Sequence, residues 1–424
     1  MITTINNKHN KLNFSSEREQ SQACLNSAEH EKNQGRKVLN VPNLRFPEFQ
    51  GEWKKCKLGD ECNVFMCKRI LASQTNTEGS VPFYKIGTIG GTPDAYISKE
   101  LFDDYKAKYN YPHKGEVMIT CAGTVGKCVI YDGKDAYYQD SNIVWIDNPS
   151  QHINNGFLYH LLANVNWRKL NSTTIIRIYN DDLRNLKLSY PQIEEQKKIS
   201  RLLSLLDERI ATQNKIIEDL KKLKSAIIEE HYRQTEKNEV CVADLGNHFN
   251  VGNLAKDDLS ETGKPCIIYG ELFTTYGEII SQIESHTNKT GGMILSKKGD
   301  LLFPSSTTVD AVSLIAPSVI NVDNVILGGD MFGIHINHNY NTQYLSYYFN
   351  HIAKKQLAKF AKGSTIIHLH YTDIEKAKLL LPSLEEQNRM AKCLVALDKK
   401  VSVEQNLLSS LTCQKSYLLQ QMFI

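Results

Sequence analysis

The sequence predicts two α+β domains in a pseudo-twofold arrangement, joined by two long helices that form an antiparallel coiled coil. Three observations support this prediction. The 424 residues exceed what a single hydrophobic core usually holds. An ungapped shift of 191 residues superposes the middle of the chain on its C-terminus. Two segments of about forty residues, one in each copy of this repeat, contain neither glycine nor proline.

The repeat is strongest at the end of each copy. The segment Pro191–Gln196, with the pattern Pro-x-x-Glu-Glu-Gln, matches Pro382–Gln387. Upstream, the two copies share only sparse landmarks, such as Lys114–Glu116 and Lys298–Asp300. Each half therefore has a divergent front and a well-matched back. This division indicates that the fronts do different things while the backs share one task.

The well-matched backs are predicted to be helices. Pro191 and Pro382 suit the start of a helix, and the apolar residues that follow are spaced at alternating steps of four and three. These residues are Ile199, Leu203, Leu206, Ile210, Ile217, Leu220 and Ile227 in the first copy, and Met390, Leu394, Leu397, Val401, Leu408, Leu411 and Leu418 in the second. Such a heptad pattern is typical of coiled coils. A forty-residue helix spans roughly 60 Å, so the pair would act as a rigid spacer between two globular units.

Polar residues interrupt the heptad pattern at equivalent places in the two copies. Gln213 and Glu404 occupy one place, and Lys224 and Lys415 occupy the other. If the helices pair antiparallel, with the start of one beside the end of the other, Gln213 lies opposite Glu404. The two side chains would then satisfy each other and fix the register. The alternative, that both side chains face solvent on irregular helices, remains open at this point.

The divergent fronts are predicted to contain strands. Short β-branched segments bounded by Gly, Asp or Asn occur at Glu116–Ile119, Lys127–Tyr131 and Asn142–Ile146. The second half has similar segments at Asp300–Phe303 and Val312–Ile315. Each front is therefore expected to be an α+β domain.

These patterns divide the chain into five parts. Residues 1–39 are polar and show no periodicity, which predicts a disordered tail. The other parts are a first globular domain over 40–190, a central long helix over 191–235, a second globular domain over 236–381 and a C-terminal long helix over 382–424.

Composition favours a cytoplasmic protein. The chain contains no run of eighteen apolar residues, and its first residues lack the apolar core of a secretory signal. Its ten cysteines form no Cys-x-x-Cys pair, so buried free thiols are favoured over structural zinc. The net charge of +3 is compatible with a nucleic-acid ligand but does not by itself argue for one.

No motif of enzyme chemistry is present. Gly126-Lys127 fails the phosphate-binding pattern GxxxxGK[ST], because Cys128 follows the lysine. HExxH, GxSxG and the NPPY or DPPY segment of amino-methyltransferases are also absent. His368 and His370 lie two residues apart, but no third metal ligand is in view. We therefore expect no catalytic, cofactor-binding or metal-binding residues in this chain.

Two groups of residues resemble the specificity subunits of type I restriction-modification systems. One is the opening Val41–Phe49, with the sequence VPNLRFPEF, followed by Trp53 and by Leu58-Gly59. The other is the pair of Pro-x-x-Glu-Glu-Gln segments, each of which leads into a long helix. The resemblance extends from Val41 to Ile424. Because this family usually begins near Val41, residues 1–39 are either an extension or the product of a misplaced start.

The resemblance implies that the chain recognises DNA but is not an enzyme by itself. Such subunits carry two target-recognition domains, each of which recognises one half of a split double-stranded target. They bind two modification subunits, which methylate adenine, and two restriction subunits, which translocate and cleave DNA. S-adenosylmethionine, ATP and Mg²⁺ belong to those partners, and no membrane is involved.

Polar and basic residues in the loops of both fronts are the candidates for DNA contact, because such side chains contact base edges and phosphates. In the first domain they are Tyr84, Lys85, Thr88, Thr120, Thr124, Lys127, Tyr138, Gln139 and Arg177. In the second domain they are Tyr269, Glu271, Ser305, Ser306, Thr307, Thr308, Ser364 and His368.

Three other functions fit parts of the sequence. A free-standing methyltransferase would need a catalytic part that the motif search does not find. A coiled-coil adaptor would bind DNA without sequence preference, if it bound DNA at all. An orphan specificity subunit would use the partner subunits of another system.

Overall fold

The computed structural model describes residues 39–170 and 177–424, except for the side chain of Leu170. Apart from Leu39, the predicted disordered tail lies outside the described residues. The chain divides into two compact units. The first unit runs to Asp207 and also includes Cys413–Ile424, whereas the second comprises Glu208–Thr412.

The first unit is built from short strands and helices. Its strands are β1 (Lys54–Lys57), β2 (Asn63–Phe65), β3 (Val81–Tyr84), β4 (Tyr96–Ile97), β5 (Val117–Thr120), β6 (Cys128–Ile130), β7 (Tyr137–Tyr138), β8 (Ile143–Asp147) and β9 (Lys187–Tyr190). Its helices are α1 (Leu58–Glu61), α2 (Lys99–Lys108), α3 (Asn155–Asn164), α4 (Trp167–Leu170), α5 (Asn180–Arg184) and the first part of α6 (Ile193–Gln234), with a 3-10 turn at Ala72–Gln74. The side chain of Ser98 caps α2, and that of Asn154 caps α3.

Two sheets and a ribbon organise the first unit. Strands β2-β8-β5-β6 form an antiparallel sheet, and β4-β3-β7 form a smaller one in which β3 and β7 are parallel. Strand β1 pairs antiparallel with β9. Side chains alternate along β5, so Val117 and Ile119 are buried in one core and Met118 in another. The alternation of apolar residues along β5 thus places a hydrophobic core on each face of its sheet.

The second unit contains more strands. They are β10 (Asn238–Cys241), β11 (Gly246–Asn250), β12 (Leu259–Ser260), β13 (Lys264–Ile268), β14 (Ile279–Ile280), β15 (Ser285–Thr287), β16 (Ile294–Leu295), β17 (Asp300–Pro304), β18 (Ser306–Thr307), β19 (Ser318–Ile320), β20 (Ile326–Gly328), β21 (Met331–Ile336), β22 (Ile367–His368) and β23 (Lys378–Leu381). Its helices are the rest of α6, α7 (Glu271–Thr274), α8 (Ala311–Leu314), α9 (Thr342–His351), α10 (Lys354–Leu357), α11 (Tyr371–Ile374) and most of α12 (Leu384–Met422). Its 3-10 turns are Val242–Leu245, Lys256–Asp258 and Ala358–Phe360.

The strands of the second unit form two five-stranded sheets and two ribbons. The sheets have the orders β11-β21-β17-β19-β14 and β12-β15-β13-β20-β16, and the ribbons are β10-β23 and β18-β22. The strand predicted over Val312–Ile315 is wrong, because α8 occupies most of this segment. Asp310 caps that helix by accepting a hydrogen bond from the backbone N–H of Ser313 at 2.8 Å. The apolar residues therefore belong to a short helix and not to a buried strand.

The two units share a common frame. Ribbon β1-β9 in the first unit corresponds to β10-β23 in the second, and strands β2-β8-β5 correspond to β11-β21-β17 in the same neighbour order. In each unit a ten-residue helix, α3 or α9, follows the last of these strands. The differences lie in the connections, where the two sheets of the second unit have more strands and where the ribbon β18-β22 is added.

The repeated Pro-x-x-Glu-Glu-Gln motif links this frame to the long helices. The side chain of Gln196 is buried; it accepts a hydrogen bond from the backbone N–H of Asn154 at 2.7 Å and donates one to the carbonyl of Pro191 at 2.8 Å. In the second unit, Gln387 accepts from Asn341 N–H at 2.9 Å and donates to the carbonyl of the motif's own proline at 2.9 Å. The motif glutamine thus joins the start of each long helix to the cap of α3 or α9.

In the second unit, α6 and α12 pair antiparallel through buried polar groups. Gln213 Nε2 donates to the carbonyl oxygen of Glu404 at 3.1 Å and also to its carboxylate. Closer to the end of α6, Lys224 contacts Asp398 at 2.9 Å and Glu278 at 2.8 Å. Because Gln213 and Glu404 are both buried, the alternative in which they face solvent is wrong. Their role in fixing the register stays a prediction.

In the first unit, the start of α6 packs against the end of α12. Ile199 and Leu203 share a core with Met422, and Lys415 forms an ion pair with Asp207. At the repeat offset, Lys415 and Asp207 are the equivalents of Lys224 and Asp398, so each unit contains the same ion pair. The predicted fold class, two α+β domains joined by two long helices that pair antiparallel, is confirmed.

A double-mutant cycle would test the coupling of Gln213 and Glu404. We expect Glu404→Leu to lower the free energy of unfolding by about 1–3 kcal/mol, because it removes the carboxylate partner of the buried Gln213 amide and leaves only the backbone carbonyl of residue 404 as an acceptor. Adding Gln213→Leu should recover most of this loss, since two apolar side chains then face each other. Urea unfolding of the two single variants and the double variant would measure the coupling. Purely additive single-variant effects would contradict the prediction.

Candidate nucleic-acid interface

Most candidate residues of the first unit belong to loops that touch one another, and Tyr84, Thr120 and Tyr138 are the last residues of strands that lead into these loops. The backbone N–H of Ile86 donates to Gln139 Oε1 at 3.4 Å, and Lys127 Nζ donates to the carbonyl of Ile89 at 2.5 Å. The N–H of Cys121 donates to the carbonyl of Asn142 at 2.8 Å. We call residues 85–91, 120–127, 139–142 and 177–179 the first loop cluster.

Arg177 lies within this cluster. Its Nη2 donates to the carbonyl of Ser141 at 3.1 Å, and its guanidinium carbon lies 5.9 Å from the ring centre of Tyr179. Ser141 has a φ of 54°, in the left-handed region that few non-glycine residues adopt. The unusual turn at Ser141 thus presents a carbonyl that holds the arginine.

Several candidates in the first unit shape the loops and are not exposed. Thr120 is fully buried; its hydroxyl donates to the carbonyl of Thr124 and accepts from the N–H of Lys127. Tyr138 is also buried, and its ring stacks on that of Tyr84 with the centres 5.9 Å apart. These placements disagree with the expectation that Thr120 and Tyr138 are available for direct contact.

Other candidates in the first unit are at the surface. The side chains of Thr124 and Lys127 are exposed. Lys85 is partly exposed and lies 3.1 Å from Asp94, in an ion pair that solvent screens and that contributes little to stability. Thr88 accepts a hydrogen bond from the N–H of Lys85 at 3.0 Å and so closes the turn that carries this lysine. The cationic groups of the first loop cluster are therefore held on ordered turns.

The candidates of the second unit gather around Asp330. The N–H of Ser305 donates to the carbonyl of Asp330 at 2.7 Å, and strand β18 pairs with β22, which places Ser306 opposite His368. Gly329 lies close to the ring of Tyr269, because a Cβ atom at position 329 would be only 3.0 Å from that ring. We call residues 305–309, 329–330 and 362–368, together with Tyr269, the second loop cluster.

Exposure again divides these candidates. Ser305 and Ser306 are buried, whereas Thr308 and Ser364 are exposed. The Thr307 hydroxyl oxygen accepts from the N–H of Val309 at 3.2 Å, within the turn that follows β18. His368 Nδ1 lies 4.0 Å from a carboxylate oxygen of Asp330, and both side chains are partly exposed.

Glu271 is engaged within its own segment. One carboxylate oxygen accepts from the N–H of Ile268 at 2.9 Å, and the other accepts from the hydroxyl of Ser285 at 2.5 Å. Both oxygens therefore already have donors. The location of Glu271 does not favour the predicted DNA contact.

Equivalent backbone hydrogen bonds hold the two clusters in place. Ile178 N–H donates to the carbonyl of Cys121, and Leu369 N–H donates to that of Ser305, both at 2.9 Å. The residues just before these donors are Arg177 and His368, which are equivalent at the repeat offset. One frame thus presents an arginine in the first unit and a histidine in the second.

Sequence reasoning missed three exposed apolar side chains in the clusters. They are Tyr179 in the first cluster, and Val309 and Ile366 in the second. No sequence pattern distinguishes them, because isolated apolar residues near a strand are usually buried. The available signal is their position directly beside the polar candidates.

The described residues contain no group of three or more His, Cys, Asp or Glu side chains placed to hold a metal ion. Burial raises the pKa values of Cys62, Cys67, Cys121 and Cys128 to about 12, so these thiols stay protonated. Within the described part of the chain, no helix is both long enough and apolar enough to cross a membrane.

Two unequal loop clusters on one repeated frame, with two paired helices, define a protein whose two halves are related but present different surfaces. The model of the type I restriction modification DNA specificity domain matches the chain twice, at residues 50–222 and 235–412. Because these matches cover most of the sequence, the chain belongs to the family of type I restriction-modification specificity proteins.

Relatives of known name are similar over part or most of the chain. A protein of Haemophilus influenzae, named as a type I restriction enzyme specificity subunit, is 47% identical over 184 residues, which span 43% of this chain and 45% of that protein. A type I restriction enzyme specificity subunit of Methanocaldococcus jannaschii is 25% identical over 396 residues, which span 85% of this chain and 89% of that protein.

Solved structures share the fold. The crystal structure of a type I restriction-modification S subunit from M. genitalium has a TM-score of 0.60 at 17% identity, and the match covers 91% of this chain and 99% of that one. A structure from a study of type I restriction-modification complex assembly has a TM-score of 0.51 at 16% identity and covers 87% of this chain and 97% of that one.

Proposed function

We propose that this chain is the DNA sequence-recognition subunit of a type I restriction-modification complex. The first loop cluster recognises one half of an asymmetric split target on double-stranded DNA, and the second recognises the other half. The observation that carries the proposal is the shared frame, which presents Arg177 in one cluster and His368 at the equivalent position of the other. Two different surfaces on equal supports suit a target whose two halves differ.

The chemistry of the exposed candidates supports this proposal. Arginine donates two hydrogen bonds in a fixed plane and pairs well with the O6 and N7 atoms of guanine in the major groove. Lys85 and Lys127 supply positive charge for phosphates, and the hydroxyls of Thr124, Thr308 and Ser364 suit either base edges or phosphates. The buried candidates, such as Thr120 and Ser305, would act indirectly by holding the loops in shape.

The repeated helices support the binding of two copies of one partner. Two pairs of residues at the repeat offset, Ile193 with Leu384 and Ile216 with Leu407, are apolar and exposed. Single exposed apolar side chains are common on proteins, but their recurrence at the repeat offset gives the two helices matching surfaces. Two equivalent sets of them suit two identical modification subunits. Two restriction subunits complete the proposed complex.

In this proposal the chain supplies recognition only. Adenine methylation with S-adenosylmethionine belongs to the modification subunits, and ATP- and Mg²⁺-dependent translocation and cleavage belong to the restriction subunits. The residues of this chain orient those partners on the duplex by fixing where the two half-sites bind.

Mapping methylated adenines genome-wide would test the proposal. Cells that carry the gene should contain a methylated motif made of two unlike halves separated by unspecified base pairs, and cells without the gene should lack it. The loss of the motif should be reversed when the gene is restored. A motif without a gap, or an unchanged methylation pattern on deletion, would overturn the proposed function.

Replacing the equivalent side chains should change the two halves separately. We expect Arg177→Ala to relax the requirement for one or more bases in one half of the motif, and His368→Ala to relax it only in the other half. Loss of a direct base contact costs about 1–3 kcal/mol at that position. Methylation mapping of the two variants measures this directly. If either variant altered both halves equally, the assignment of one cluster to each half would be wrong.

A further inference from the structure

The second loop cluster ends in exposed aliphatic side chains. Val309 is 73% exposed, more than any other large apolar side chain in the described part of the protein, and Ile366 is 49% exposed. Single exposed apolar residues are common on proteins. Val309 and Ile366, however, lie on two neighbouring turns of the chain. The hydroxyl-bearing residues Thr308 and Ser364 on these turns are also exposed.

The pairing of β18 with β22 brings the side chains of Val309 and Ile366 to the same end of the ribbon. We call this end, which comprises Thr308, Val309 and residues 363–366, the tip. Thr307 lies opposite Ile367 in this ribbon, so Thr308 and Ile366 are the next residues beyond its end. Residues 363–367 connect the two sides of a hairpin, because the N–H of Lys362 donates to the carbonyl of His368 at 2.9 Å and the reverse bond measures 2.7 Å. Val309 and Ile366 therefore project from adjoining turns.

Both turns are fixed in shape. Gly363 has a φ of +117°, and a Cβ atom at this position would lie 2.0 Å from the carbonyl oxygen of Ile366, so only glycine fits there. On the other turn, Asp310 caps α8 immediately after Val309, and its hydrogen bond from the N–H of Ser313 holds the pKa of this carboxyl below its usual range. The aliphatic groups are thus presented on an ordered backbone before any ligand binds.

Positive charge borders the tip. Lys355 and Lys359 are exposed, and neither has an ion-pair partner among the described residues. They lie on α10 and on the following 3-10 turn, which both contact α8 directly after Val309. Uncompensated lysines beside a small apolar tip favour a polyanion over an apolar protein surface.

We propose that Val309 and Ile366 contact the C5-methyl groups of thymine in the major groove, so that the second domain selects a half-site containing thymine. The inference rests on the proposed function and assigns part of its specificity. The thymine methyl group is the apolar feature of base pairs in that groove, and a two-stranded β-ribbon fits the groove's width. The hydroxyls of Thr308 and Ser364 are placed to contact neighbouring polar base edges.

The residue that corresponds to Val309 is placed differently in the first unit. Cys121 and Ser305 are equivalent because they accept the same backbone hydrogen bond, and counting onward makes Val125 the counterpart of Val309. Val125 packs against the hydrophobic core of the first unit, whereas Val309 does not. Sensitivity to thymine methyl groups at this position should therefore be confined to one half of the target.

Replacing thymine by uracil removes only the methyl group and tests the proposal. The full chain, co-expressed with its modification subunits, would first select its motif from a library of random duplexes. Uracil would then replace each thymine of the motif in turn. We expect a loss of affinity of about fourfold at one or two positions, equivalent to about 0.8 kcal/mol per methyl group. These positions should lie in the half that His368→Ala alters.

The double variant Val309→Ser and Ile366→Ser should bind thymine and uracil duplexes equally. Its thermal unfolding should match that of the unchanged protein, because both side chains are exposed. Ile294→Ser is the matched control, since Ile294 is 40% exposed in the same unit but lies on strand β16. This control should keep the preference for thymine.

The other outcomes separate the inference from the proposed function. Selection of a motif with equal affinity for thymine and uracil duplexes would overturn the inference and leave the proposed function standing. A failure to select any motif would overturn the proposed function, and the inference with it. If the double variant lost its modification subunits during purification, the tip would be a protein contact and the inference would be wrong.

Discussion

The antiparallel pairing of the two long helices is the constraint on which both units depend. In the first unit, the ring of Phe423, near the end of the chain, stacks on Phe157 with the centres 5.0 Å apart, and Met422 is buried in the same core. In the second unit, Ile228 of α6 and Leu394 of α12 are buried in a single core. Because each core takes side chains from both helices, neither unit is complete without the two of them.

The repeated glutamine motif explains how equal supports carry unequal surfaces. Gln196 and Gln387 tie the start of each long helix to the cap of a short helix in the frame, and the frame in turn fixes the backbone next to Arg177 and His368. As long as this frame is kept, the loops can change in length and in side chains without disturbing the hydrophobic cores. Divergent fronts and matched backs in the sequence are the consequence of this division.

The sequence predicted the fold class because its strongest signals, the repeat and the heptad spacing, come from buried and periodic positions. The sequence also predicted the contact between Gln213 and Glu404, because an antiparallel pair of helices has few registers in which two polar side chains meet. The strand predicted at Val312–Ile315 was wrong, because the capping side chain of Asp310 outweighed the apolar residues of this short segment. The burial of Thr120 and the exposure of Val309 depend on the three-dimensional course of the loops, which no local pattern contains.

We propose that the paired helices set the number of base pairs between the two half-sites. Inserting one heptad at equivalent positions of α6 and α12 would lengthen each helix by about 10 Å, the length of about three base pairs. Methylation mapping of this variant should find both half-sites unchanged and the gap widened by that amount. A methylated motif with the original gap would contradict the account.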